Sequence, residues 1–278
     1  MTVVAPLRQI LAFRLSVSDP ERLGRFYIEG LGFKSIAERA IPASEMTLLG
    51  LHRSGRRWTL AAGDERLELD RFDVPGRPYA QESNAADLTF QHCAIVVKDA
   101  GAAYRRAVSH GAIAISTAGP VQLPLTAGGA IAVKFRDPEG HPLEFLEFPP
   151  GASGRWARAK PRPGPLGIDH SAISVADAKA SAVFYEAHGL RPGTATFNQG
   201  QTQAALDRLK APRVDVVPLL PVGAAPHLEL LGYHVPKGRH APALRTNDIE
   251  ATWILWASDR ESLLRDRDGH LHQLQRRP

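Results

Sequence analysis

The feature that most constrains this chain is a strand-and-helix pattern that recurs four times. In the clearest copy, a β-branched run carries His92 near its start, and Asp99 follows seven residues after that histidine. The same spacing recurs in three further pairs: His170 and Asp177, Ala12 and Asp19, and Thr252 and Asp259. Aspartate at this position caps a following helix. Recurrence over most of the chain predicts a fold built from duplicated units.

The second copy shows the whole unit, which reads β-α-β-β-β and predicts the α+β class. Residues two apart on a strand share a face, so we expect His92, Ala94 and Val96 to face a cavity while Cys93, Ile95 and Val97 pack on the helix. A hairpin over 136–141 leads into a closing strand that carries Glu144. The fourth copy is truncated, because the interval from Thr252 to Gln273 leaves no room for a helix.

The copies alternate in kind. The first and third carry an aromatic pair, Phe26-Tyr27 or Phe184-Tyr185, while the second and fourth carry the hairpin 136–141 or 265–270. We interpret this as two pairs, one with two and three with four. The prediction places an N-terminal domain over 1–150, a Pro/Gly-rich linker over 151–165 and a C-terminal domain over 166–278.

Composition excludes several classes of function. The net charge of +5 comes from 34 basic and 29 acidic residues without a basic stripe, so we expect no nucleic-acid partner. No apolar run approaches the roughly 20 residues that span a bilayer. The N-terminus lacks the pattern of a signal peptide and Cys93 is the single cysteine, so a cytoplasmic location is expected.

The element FY-x-x-x-LG from Phe26 to Gly32, the hairpin Asp-Pro-Glu-Gly-His from Asp137, the strand Leu143-Glu144-Phe145 and the His92 strand together resemble the vicinal oxygen chelate superfamily. That superfamily includes glyoxalase I, fosfomycin and bleomycin resistance proteins, and extradiol dioxygenases. The resemblance covers nearly the whole chain. It implies paired glyoxalase-like barrels and a small-molecule substrate, and leaves the reaction open between lyase or isomerase, dioxygenase and plain binding.

The resemblance also implies metal-ligand positions at the first and last strands of each copy. The N-terminal barrel would offer Ala12, Glu68, His92 and Glu144, and the C-terminal barrel His170, Glu229, Thr252 and Gln273. We therefore expect a divalent Fe, Mn, Ni or Zn ion on His92, Glu144 and Glu68, with His170, Glu229 and Gln273 as the alternative. Neither set has the two histidines and one carboxylate of a dioxygenase.

The expected enzyme polarises a small oxygen-rich or anionic metabolite as a chelated enolate or oxyanion, with Glu68 also serving as general base. Arg14 shares the cavity face with Ala12, so it is either a substrate clamp or an ion-pair partner of Glu68. A drug- or metabolite-binding protein and an extradiol dioxygenase are the alternatives. A homodimer stays open. We further expect His141 and His270 to be exposed in turns, and residues 198–203 to form a loop.

Overall fold

The computed structural model describes residues 4–80, 82–151, 154–159, 162–223, 225–240 and 242–276. Copy one forms β1 Gln9–Ser16, α1 Pro20–Arg25, a π-helical turn Phe26–Gly30, β2 Lys34–Ala40, α2 Ala43–Leu48, β3 Gly55–Ala62 and β4 Glu65–Phe72. Copy two forms β5 Gln91–Val96, α3 Ala100–Ser109, β6 Ile113–Ala114, β7 Val121–Gln122, a 3-10 turn Leu125–Ala127, β8 Ile131–Arg136 and β9 Pro142–Glu147. Copy three forms β10 Gly167–Ser174, α4 Ala178–Ala187, β11 Arg191–Pro192, β12 Thr196–Gln199, α5 Gly200–Asp207, β13 Arg213–Leu220 and β14 His227–Val235. Copy four forms β15 Thr252–Ser258, β16 Ser262–Arg265 and β17 Leu271–Arg276.

The repeated aspartates cap helices in the three full copies. Asp19, Asp99 and Asp177 each accept a hydrogen bond from the backbone N–H three residues later. This contact satisfies a helix N–H that has no partner inside the helix. In copy four, the described residues after Asp259 form strands, as the short interval predicts.

The strands form two open mixed sheets. The sheet that we call the 1/4 sheet has the order β16-β17-β15-β1-β4-β3-β2 and combines copies one and four. The 2/3 sheet has the order β11-β13-β14-β10-β5-β9-β8-β6, with β12 beside β13 and β7 beside β8. At the centre of each sheet, the first strands of two copies pair antiparallel, β1 with β15 and β5 with β10.

The expected pairing of copy one with two and of three with four is therefore wrong for the strands. The odd-even alternation in the sequence reflects a different contact. The Tyr27 hydroxyl of copy one donates to Asp137 of the copy-two hairpin at 3.1 Å, and the Tyr185 hydroxyl of copy three donates to Asp266 of copy four at 2.8 Å. Copies that are neighbours in sequence thus contact each other through a helix of one copy and the hairpin of the next, although their strands lie in different sheets.

The strand faces follow the predicted alternation. Cys93, Ile95 and Val97 belong to the largest buried apolar cluster, whereas Ala94 and Val96 belong to a smaller one on the other side of β5. Residues 198–203, expected as a loop, instead end β12 and begin α5. Among the described residues, no helix has the length and apolar character needed to cross a bilayer.

The predicted linker region ties the two sheets together. Arg155 bonds the Glu65 carboxylate at the start of β4 at 3.0 Å and the Ile168 carbonyl on β10 at 2.7 Å. The next residues form a short 3-10 turn, Trp156–Arg158. The boundaries 1–150, 151–165 and 166–278 stay a prediction, with each sheet drawing strands from both sides of them.

Candidate metal centre

Four adjacent strands of the 2/3 sheet bring two histidines and two glutamates to one face. On the central pair, β5 carries His92 and β10 carries His170, in a register that places Ala172 opposite His92. The parallel neighbours place Glu144 of β9 beside Ala94 and Glu229 of β14 beside Ala172. Because residues two apart share a face, each glutamate lies on the same side as the histidine of the strand next to it.

The four side chains form a chain of contacts in which each one lies within 4 Å of the next. His92 Nε2 is 3.0 Å from Glu144 Oε2, which is 3.9 Å from His170 Nε2. His170 Nε2 is in turn 3.4 Å from Glu229 Oε2. All four residues are buried or nearly so, with side-chain exposures of 2% for His92, 7% for Glu144 and His170, and 17% for Glu229.

Further hydrogen bonds fix the orientation of His170 and Glu229. His170 Nδ1–H donates to Asp169 Oδ2 at 3.0 Å, which leaves Nε2 facing the two glutamates. The Trp156 indole N–H donates to the other Asp169 oxygen. His227 Nε2–H donates to Glu229 Oε1 at 3.2 Å. Carboxylates that hold the outer nitrogen of an imidazole are the usual support of a histidine metal ligand.

The charges of the cluster depend on one another. Burial alone would lower the pKa of His170, but Glu229 and Asp169 outweigh it and raise that pKa to about 9. Burial alone would raise the pKa of Glu144, but Lys134 and the His92 hydrogen bond lower it to about 2. For His92, burial prevails and lowers the pKa. In the absence of a metal, therefore, a protonated His170 lies between two carboxylates.

The cluster forms one wall of a cavity of about 190 Å³. Lys134 of β8 also lies on this cavity, and its ammonium donates to Asp207 Oδ1 at 2.8 Å. Thr196 and Asn198 of β12 add polar groups to its lining, and Leu146 and Phe148 add apolar ones. A reacting molecule would therefore contact both polar and apolar groups.

The donor set fits a divalent metal ion. Two ligand atoms bound at about 2.1 Å to one ion lie roughly 3.0–3.4 Å apart at angles near 90–109°. The observed separations are 3.0, 3.4 and 3.9 Å, and the donor atoms of His92, Glu144 and His170 all lie within 4.8 Å of one another. Nδ1 of His92 has no hydrogen-bond partner among the described residues, so this ring is engaged through Nε2 alone. A metal would displace the proton from His170.

Comparison with known proteins agrees with this architecture. A family model described as the Glyoxalase/Bleomycin resistance protein/Dioxygenase superfamily matches residues 9–145. Residues 9–145, which span copies one and two from β1 into β9, belong to this superfamily. A search of curated proteins finds no match.

Solved structures of the superfamily match along nearly the full length. The crystal structure of glyoxalase I from Zea mays shares 16% identity, with 96% of this chain and 92% of that chain covered and a TM-score of 0.58. A protein from Bacillus subtilis subsp. subtilis str. 168, provisionally assigned as a dioxygenase, shares 14% identity over 98% and 86% of the two chains, also with a TM-score of 0.58. At these identities the likeness establishes the fold alone.

The 1/4 sheet has positions that correspond to this cluster, but an arginine lies among them. Arg14 Nε donates to Glu68 at 2.5 Å, and Nη1 donates to Glu45 at 2.6 Å and to the Gln273 side-chain oxygen at 2.5 Å. The strand register makes Glu68 the counterpart of Glu229 and Gln273 the counterpart of Glu144. The guanidinium thus supplies the positive charge that a metal ion would supply in the 2/3 sheet.

The structure groups the predicted site residues differently from the two expected ligand sets. His92 and Glu144 lie together as expected, but Glu68 belongs to the other sheet and cannot join them. His170 and Glu229 lie together, but without Gln273, which is bonded to Arg14. Arg14 is an ion-pair partner of Glu68, the second of its two predicted roles.

Three smaller expectations are wrong. The first is that no site would combine two histidines with one carboxylate. His92, His170 and Glu144 form such a group, because copies two and three share a sheet. The second is that Thr252 would hold the position of His92 in copy four. Leu255 lies beside Gln273 as Ala94 lies beside Glu144, so the residue two before Leu255, Trp253, is the counterpart of His92.

The hairpin histidines, expected to be exposed, are buried. His141 and His270 are 1% and 6% exposed. Each donates through Nε2 to a backbone carbonyl, of Ser16 and Ser174 respectively. The aspartate four residues earlier accepts the backbone N–H of each histidine.

Proposed function

We propose that this chain is a divalent-metal-dependent enzyme with one active site, the cluster of His92, Glu144, His170 and Glu229. The observation that supports this most strongly is that the donor atoms of His92, Glu144 and His170 lie within 4.8 Å of one another on one cavity, with Glu229 Oε2 3.4 Å from His170 Nε2. Imidazole and carboxylate ligands together suit Fe, Mn, Ni or Zn. Since copies two and three lie in one chain, the site needs no second subunit.

When bound, the ion would supply a Lewis acid that polarises two neighbouring oxygens of a small substrate. The protein groups around it have separate tasks. Asp169 keeps His170 Nε2 facing the cavity, and Glu144 stays ionised because Lys134 and His92 lower its pKa to about 2.

We assign the proton-transfer step to Glu229 Oε2. Its side chain is more accessible than that of Glu144, 17% against 7%, and His227 holds the other oxygen. A carboxylate that takes a proton beside a polarised carbonyl and returns it at a neighbouring atom carries out an isomerase or lyase reaction. The shared fold of maize glyoxalase I is compatible with this class.

Ring cleavage by a dioxygenase is the second candidate, because His92, His170 and Glu144 form a group of two histidines and one carboxylate. Such a group is typical of non-haem iron oxygenases. Glu229 favours the first candidate, since it places a carboxylate for proton transfer next to His170. Oxygen uptake by the iron-loaded protein with a catechol would favour the dioxygenase.

Metal content after purification without chelator tests the proposal. We expect about one Fe, Mn, Ni or Zn ion per chain in the wild type, and less than about one-tenth of an ion in His92→Ala and His170→Ala, because each loses a ligand of the only proposed site. His234→Ala is the matched control. That residue is exposed and bonded to Asp215, so its loss should leave the metal content unchanged.

Two results would overturn the proposal. A wild-type chain with less than about one-tenth of an ion, and no activity after Fe, Mn, Ni or Zn is added, would indicate a binding protein. Retention of the metal by both His92→Ala and His170→Ala would place the ion elsewhere.

A further inference from the structure

The cavity beside the proposed metal centre contains a fixed cation, Lys134, whose hydrogen-bonding capacity is only partly used. The side chain is 4% exposed, and its ammonium bonds Asp207 at 2.8 Å. An ammonium has three N–H donors. Asp207 is its one acceptor among the described residues, so two donors remain for whatever fills the cavity.

Asp207 holds this ammonium rigidly in place. Its side chain is fully buried, and Oδ2 accepts from the Tyr233 hydroxyl at 2.8 Å and from the Gln203 amide at 2.6 Å. Oδ1 is the oxygen that faces Lys134. The cation is therefore positioned before a ligand arrives, which lowers the entropic cost of binding.

The repeated architecture does not require a lysine at this position. On β8 and β9, Lys134 is the cross-strand neighbour of Glu144. The corresponding neighbours in the other copies are uncharged: Thr59 beside Glu68, Pro218 beside Glu229 and Leu263 beside Gln273. A buried ammonium is costly unless its donors are satisfied. Lys134 lines the cavity, as does its uncharged copy-three counterpart Pro218, so the buried charge on this wall indicates a specific use.

The arginine-filled counterpart in the 1/4 sheet gives the contrast. There, Arg57 has three acidic partners: it bonds Asp70 through Nε and Nη2 and Glu45 through Nη1 and Nη2, and its Nε lies 3.4 Å from Glu68. The hydrogen-bond donors of that cation are taken up by protein groups. Lys134, with Asp207 as its one hydrogen-bond acceptor among the described residues, has donors left for a ligand.

We infer that the substrate is a small molecule with a carboxylate in addition to its metal-binding oxygens, and that Lys134 binds this carboxylate. The inference rests on the proposed function and adds a substrate class to it. The cavity of about 190 Å³ is smaller than the roughly 300–1,000 Å³ of pockets for drug-sized ligands, which fits a metabolite smaller than a drug molecule. Thr196 and Asn198 add neutral polar groups to the same cavity.

Two probes that differ only in the remote group test the inference. L-malate and its 4-amide share a 2-hydroxycarboxylate, and L-malate alone has the second carboxylate. Titration calorimetry on metal-loaded wild type should show L-malate binding at least about tenfold tighter, the effect of one charge-assisted hydrogen bond. In Lys134→Met/Asp207→Asn, which removes both charges together, the two probes should bind within about twofold of each other.

His234→Ala is the matched control, because this exposed histidine bonded to Asp215 lies outside the cavity lining and should keep the preference for L-malate. Equal binding of the two probes by wild type, no binding of L-malate at millimolar concentration, or an undiminished preference in the double variant would overturn the inference. Metal content is measured on the same samples. A preference for L-malate without bound metal would support the carboxylate site while contradicting the proposed metal-dependent function.

Discussion

At the scale of single residues, buried carboxylates at corresponding positions of the two sheets are neutralised by different positive groups. Carboxylates that face inward from a sheet need a positive partner, because an isolated buried charge is strongly destabilising. In the 1/4 sheet, Arg14 supplies that charge to Glu68 and Glu45. The sequence allowed both roles for Arg14. Only the strand register shows that no substrate is needed to neutralise the guanidinium.

Replacing Arg14 tests this structural role. Arg14→Met should lower the free energy of unfolding by about 3–5 kcal/mol, since it leaves Glu68 and Glu45 buried without one of their partners. Urea denaturation at neutral pH gives the value. Arg56→Met is the control, because the Arg56–Glu38 pair is more than half exposed on both sides and should cost less than about 1 kcal/mol. Equal losses in the two variants would contradict the role of Arg14.

At the scale of strands and helices, most local features were predictable and the partners were not. The helix caps at Asp19, Asp99 and Asp177 and the alternation on β5 depend on near neighbours in sequence, so they can be read from spacing. Strand pairing depends on contacts distant in sequence, and the residue pattern of β5 suits either partner. The alternation of aromatic pairs and hairpins, which the Tyr27–Asp137 contact explains, even suggested the wrong one. As a result, the four donors were assigned to two separate sites.

The strand β17 carries a histidine whose neutral form the fold requires. His272 is fully buried, and its Nδ1 accepts from the Trp256 indole at 3.0 Å, while Nε2 contacts the Tyr185 hydroxyl at 2.9 Å. Burial lowers the pKa of His272 to about 4. In the unfolded chain an ordinary histidine takes up its proton near pH 6.5. Between these values the unfolded state binds the extra proton, so stability is fully present above about pH 6.5 and falls as the pH is lowered toward 4.

We expect this histidine to contribute a loss of roughly 3 kcal/mol in unfolding free energy between pH 6.5 and 4. The difference between wild type and His272→Gln, measured by denaturation across this range, isolates the contribution. The variant should be less stable at pH 7 and should lack this part of the pH slope. His52→Gln, at an exposed position, should keep the wild-type slope. An unchanged slope in His272→Gln would show that another group is responsible.

At the scale of the whole molecule, the two sheets make the halves of the chain interdependent. Copies one and two supply β1 and β5, and copies three and four supply their central partners β15 and β10. Both histidine strands of the proposed metal centre meet across this junction. The site therefore exists only when the two halves are joined, although each half has the repeats of a complete domain.

Separate production of residues 1–150 and 166–278 tests this dependence. Either fragment alone would leave β1 and β5, or β15 and β10, as unpaired central edges with their hydrogen-bonding groups open to self-association. We expect each fragment to be unfolded or aggregated by circular dichroism and size-exclusion chromatography. Mixing the two during refolding should restore a one-to-one complex with the metal content of the intact chain. If residues 1–150 instead unfold cooperatively as a monomer, the N-terminal half contains a self-sufficient barrel, and the pairing of copies one with four and two with three is not what holds the molecule together.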